Sequence, residues 1–176
     1  MPDQAPSAAD PAGELRRDDI RKAFRAHAES ESVSSLSAGD IDALADSIGE
    51  LAANYAGTAS RVRVHDAIGA DGHSLGLCVL EAVSIDKPFL VDSLLSLCAE
   101  FGFEVRALFH PILETDRGVP LSLIQIHVPA LSDYECRLLK DEADATLADG
   151  EMAVQDYAAM QARMQDAIER VKANKV

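Results

Sequence analysis

The sequence predicts an α+β protein: an antiparallel sheet of about four strands with helices on one face, preceded by N-terminal helices and followed by a C-terminal helical extension. Three observations carry this. Apolar residues recur at helical spacing before residue 57 and after residue 132, four strand-like segments lie between them, three of which set alternate residues on opposite faces, and one short helical pattern separates the second of these from the third. With 176 residues, 48% of them hydrophobic, the chain can bury the core of one ordinary domain and is too short for two full enzyme domains.

Residues 1–13, MPDQAPSAADPAG, are small, polar and Pro-bearing, and such a segment buries too little apolar surface to offset its ordering entropy, so a flexible tail is expected. Residues 14–57 form the N-terminal helices. Ile20, Ala23, Phe24 and His27 share one face of the first, which stops at the Ser-rich SESVSSLSAG. Ile41, Leu44, Ile48, Leu51 and Tyr55 share one face of the second, which starts near Asp40 and ends at Gly57.

The α+β domain spans 60–149. In RVRVHD (61–66), Val62 and Val64 lie on one face while Arg61, Arg63 and His65 lie on the other, and a turn-rich connection leads to the strand LGLCVLEAVS (75–84), its hairpin partner. A helix is expected over 88–101. Asp86 or Lys87 would cap it, Pro88 would take the first helical position where a missing N–H costs little, Leu90, Leu94, Leu97 and Phe101 form the stripe, and Gly102 closes it. EVRALFHPIL (104–113) then sets Val105, Ala107 and Phe109 against Arg106, Leu108 and His110, and LSLIQIHV (121–128) sets Ile124, Ile126 and Val128 against Gln125 and His127; these form the second hairpin. Strand, helix, strand and antiparallel return make a split β-α-β unit, as in ferredoxin-like domains, with the 61–66 strand as the fourth position.

Helices follow over 132–148, capped by Ser132 or Asp133, and over 151–173 with Val154, Tyr157, Met160, Met164, Ile168 and Val171 as a stripe. Residues 150–176 are thus a C-terminal helix, and its end without a stop signal suggests a lead into the remainder of a longer protein.

Sixteen Lys plus Arg against 30 Asp plus Glu give a net charge of −14, spread along the chain, which argues against a nucleic-acid partner. Cys78, Cys98 and Cys136 form no C-x-x-C pair, so neither a disulfide framework nor a zinc site is expected, and they read as buried thiols of a reducing compartment. No apolar run reaches the roughly 18 residues of a membrane span. A cytoplasmic protein without a membrane partner is expected.

If Val, Ile and Phe point at the helices, the opposite face gathers Arg63, His65, Glu81, Arg106, His110, Gln125 and His127. The plain reading is a solvated sheet face. The functional one is a polar platform for an effector, another domain or another subunit. No spaced ligand motif supports a metal, no glycine fingerprint supports a bound nucleotide, and Ser93 with His110 and Asp92 lacks the elbow of a nucleophilic serine, so no catalytic residue, metal or cofactor is assigned within the chain.

DKPFLVDSLL, the later FHPIL and the strand SLIQIHVPALSD closely resemble the N-terminal region of the very large bacterial NAD-specific glutamate dehydrogenases, specifically over 77–133 and more loosely on either side. The resemblance implies an ACT-like domain whose parent enzyme deaminates L-glutamate oxidatively to 2-oxoglutarate and ammonia with NAD. It also implies partners among the other domains or subunits of that enzyme. ACT-like domains commonly bind amino acids at the first strand-to-helix loop. Mapped here, the implied effector-binding candidates are Asp86, Lys87, Phe89, Asp92 and Ser93, at a helix N-terminus whose N–H donors favour a carboxylate. A scaffold with no small ligand is the competing expectation.

Overall fold

The computed structural model describes residues 13–30, 36–53, 55–150 and 164. Residues 1–12 of the expected tail, and all of the last helical stripe but Met164, lie outside them.

Two helices lead: α1 (Arg17–Ser30) and α2 (Ala38–Ala53). A reciprocal capping box starts α2. The backbone N–H of Asp40 donates to Ser37 Oγ (3.2 Å), while Asp40 Oδ2 accepts from the backbone N–H (3.1 Å) and hydroxyl (2.7 Å) of Ser37. Arg17 and Arg21 both clasp Asp46 and Arg25 clasps Asp42, so three successive turns of α1 are tied to α2. The helix after the sheet, α4, covers 133–150 as far as it is described and includes Gly150; Ser132 and Glu135 repeat the same capping box at its start.

Between them lies a five-stranded antiparallel sheet. Its strands are β1 (Arg61–Ile68), β2 (Ser74–Ile85), β3 (Ala107–Phe109), β4 (Ile112–Glu114) and β5 (Pro120–Pro129), in the order β1-β2-β5-β3 with β4 also on β5. Helix α3 (Leu90–Glu100) connects β2 to β3, and β5 inserts between those two, which is the expected split unit.

The single strand expected over 104–113 is two short ones. Both keep the same register on β5, Phe109 opposite Gln125 and Ile112 opposite Ser122, but Pro111 between them has no N–H to give to the ladder. The face expected for this strand is also corrected. Ala107 and Phe109 join the side of Gln125 and His127, and alternation sends Arg106 and His110 with Leu108 to the other.

Each sheet face carries its own core. Beneath α3 and α4, Leu90, Leu94, Leu97, Leu139, Ala143 and Leu147 pack on Leu80, Ala82, Ile124, Ile126 and Val128. On the opposite face, Ile20, Phe24, Ile41, Ile48 and Tyr55 pack on Val83, Phe109, Leu121 and Leu123, with the Phe24 and Phe109 rings stacked 5.1 Å apart. The N-terminal helices therefore cover the face that the sequence left open.

Candidate functional site

That covered face holds a buried polar network. Glu81, Gln125 and His127 are fully buried. Arg63 donates through Nε (2.8 Å) and Nη2 (2.6 Å) to Glu81 Oε2 and also reaches the Ser47 carbonyl of α2, and His65 Nε2 lies 3.2 Å from the same carboxylate. Gln125 Nε2 donates to Glu81 Oε1 and to the Leu44 carbonyl, so its Oε1 accepts from His127 Nε2 (3.0 Å). His127 Nδ1 is left without a partner.

Electrostatics follow from this geometry. Burial pushes Glu81 upward, but the hydrogen bond from His65 and the charges of His65 and Arg63 outweigh it and its pKa falls below the ordinary value. The bond to Glu81 raises His65. Burial lowers His127 to about 4, because a proton on Nδ1 would meet no acceptor. Arg63, His65, Glu81, Gln125 and His127 thus bolt the sheet to α2; Glu81, Gln125 and His127 are closed to solvent while Arg63 and His65 stay partly exposed at the edge, so the fully open face expected for them is corrected. Arg106 is separate from them, paired with Glu104 at the surface, and His110 lies on the other sheet face.

The loop between β2 and α3 is the second candidate, and its capping differs from expectation. The helix begins at Leu90, not Pro88; Phe89 is its N-cap, in the left-handed region at φ 70°, with no side chain capping the first turn. Asp86 is not the cap because it is engaged elsewhere: its N–H donates to the Pro120 carbonyl and its Oδ1 accepts from Ser122 Oγ (2.6 Å). Ser122 spends its one proton on Asp86, so its oxygen accepts from His110 Nε2 at 3.2 Å. Burial lowers His110, against the charge of Asp86. The order Asp86, Ser122, His110 places the serine between acid and histidine and fully buried, the wrong arrangement for a nucleophile.

The five effector candidates do not share one cavity. Asp86, Lys87, Phe89, Asp92 and His110 line a concavity of about 460 Å³. Ser93 lines a neighbouring one of about 450 Å³ with Ser96, Glu100 and Thr146, and Phe89 and Asp92 form the wall between them. Sequence reasoning missed Ser122 because its role depends on pairing across the sheet; the H-P of FHPIL was the signal for His110. Among the described residues there is no group of three metal-ligating side chains, and no helix is long and apolar enough to cross a membrane.

The architecture agrees with one comparison. A family model described as the ACT1 domain of glutamate dehydrogenase matches residues 20–164, which takes in most of α1, all five strands and α4. No curated protein and no solved structure matches the chain. With most of its length matched, this α+β chain belongs to the family of glutamate dehydrogenase ACT1 domains.

Proposed function

We propose that the chain is a regulatory domain of an NAD-specific glutamate dehydrogenase of the large bacterial type, and that it binds a free amino acid at the turn between β2 and α3. The parent reaction is oxidation of L-glutamate to 2-oxoglutarate and ammonia with NAD, carried by domains other than this one.

One observation supports the turn as the site: the amino end of α3 lacks a side-chain cap and borders the concavity lined by Asp86, Lys87, Phe89, Asp92 and His110. Unsatisfied N–H groups and the positive helix end favour a carboxylate, and Asp92 one turn along is placed for an α-ammonium. A zwitterion fits that pairing of signs better than a dicarboxylate does in a chain of net charge −14. Coupling to catalysis requires that the amino acid bind two states of the enzyme with different affinity.

A second reading, a ligand-free scaffold, is favoured by Phe89, which is 71% exposed and would suit a contact with another domain. A thermal-shift screen of the chain against the common amino acids separates the two. Under the sensor reading one amino acid raises the melting temperature, by about 2.7 kcal/mol of added stability at a hundredfold excess over Kd, and Asp92→Ala abolishes the effect. A uniformly flat screen rejects the sensor and leaves the scaffold.

A further inference from the structure

Cys78 on β2 and Cys136 in the first turn of α4 are 58 residues apart in sequence, yet their sulfurs lie 3.5 Å from each other. Cys136 begins the stripe through which α4 meets the sheet, three residues before Leu139, and is half-buried, whereas Cys78 is fully buried. Disulfide formation requires the sulfurs to close to about 2.05 Å, an approach of roughly 1.5 Å shared by two side chains. Cys98, the third thiol, is buried in the same core under α3 and has no such partner among the contacts described.

We propose that Cys78 and Cys136 form a redox modification site, at which a peroxide-class oxidant joins them in a reversible disulfide that fastens α4 to β2. The accessible thiol reacts first. Cys136 sulfur attacks the peroxide, an S–O bond forms as the O–O bond breaks, and the departing hydroxide takes up the thiol proton as water. Cys78 sulfur then attacks the sulfenic acid. The S–S bond forms, the S–O bond breaks, and the hydroxyl leaves with the Cys78 proton as a second water; two thiols lose two electrons and peroxide gains them. Burial, with the adjacent Cys136, holds Cys78 up at about 12, so it stays a thiol and is a poor first nucleophile. A low-molecular-weight thiol reverses the bond by exchange, which suits a compartment where disulfides are transient.

The consequence is a covalent tie across a 58-residue separation, between the sheet and α4. Such a bond restricts the unfolded chain and prevents α4 from peeling off its core.

The test is hydrogen peroxide titration of the native chain, quenched by alkylation and mapped by mass spectrometry of unreduced peptides. A single cross-link between the peptides of Cys78 and Cys136 is expected, with the loss of two hydrogens and a melting temperature raised by several degrees, reversed by dithiothreitol. Cys98→Ser should keep the cross-link and Cys136→Ser should lose it while remaining folded by circular dichroism. Accumulation of Cys136 sulfinic acid without a cross-link overturns the proposal, as does a cross-link that includes Cys98 or forms only in denaturant.

Discussion

His127 illustrates how one position can be well read in type and misread in place. Its alternation with Ile126 and Val128 announces a face, and a histidine on a strand facing away from the core reads as solvated. In the protein it sits against the Phe109 ring, centroids 5.2 Å apart, with one ring nitrogen bonded to Gln125 and the other bare. The unfolded chain protonates this residue as the pH falls through 6.5, and the folded protein only near 4. Its folded pKa is depressed, so the stability it permits is complete above 6.5 and is lost progressively between 6.5 and about 4, by about 3 kcal/mol in all. His65 acts with the opposite sign, since a raised folded pKa favours the folded state as the pH falls. Urea denaturation of the wild type and His127→Gln at a series of pH values isolates the first effect. The stability difference between the two proteins should shift in favour of the variant across that window, and a constant difference would show that His127 does not titrate there.

At the scale of the element, the start of α3 is the informative case. DKPF has every residue of a conventional cap, yet Asp86 is drawn to Ser122 and the chain turns once more, leaving Phe89 in a conformation that L-residues adopt at a cost of roughly 1–2 kcal/mol. Its side chain recovers little by packing because it is largely exposed. Phe89→Gly should therefore stabilise the chain by about 0.5–1 kcal/mol after the greater flexibility of glycine in the unfolded state is deducted, measured as a higher urea midpoint. The same substitution should weaken amino-acid binding at the turn, or docking there, since the wall between the two concavities is removed. A lower midpoint would mean that the aromatic ring contributes contacts that its exposure conceals.

For the whole molecule, the two-sided sheet is the controlling feature. β5 is buried on both faces over almost its full length, one face by α3 and α4 and the other by α1 and α2. A chain that begins at residue 58 would expose Val83, Phe109, Leu121 and Leu123 together with the buried Glu81 and Gln125, a large apolar patch around an uncovered charge. It should self-associate or aggregate on size-exclusion chromatography, and a monodisperse monomer with native circular dichroism would show that the helices are dispensable. By itself the sequence determined the α+β class, both hairpins, the split β-α-β order and the helices that directly flank the sheet, because those follow from periodicities of two and 3.6 and from local punctuation. The DKPFLVDS and FHPIL segments also carried the family. Only the tertiary structure decided that the N-terminal helices close the polar face, that Pro111 divides a strand without changing its register, and that Ser122 takes Asp86 away from the cap. Each of these depends on which residues meet across the sheet, and contacts between segments distant in sequence leave no period in the sequence to read.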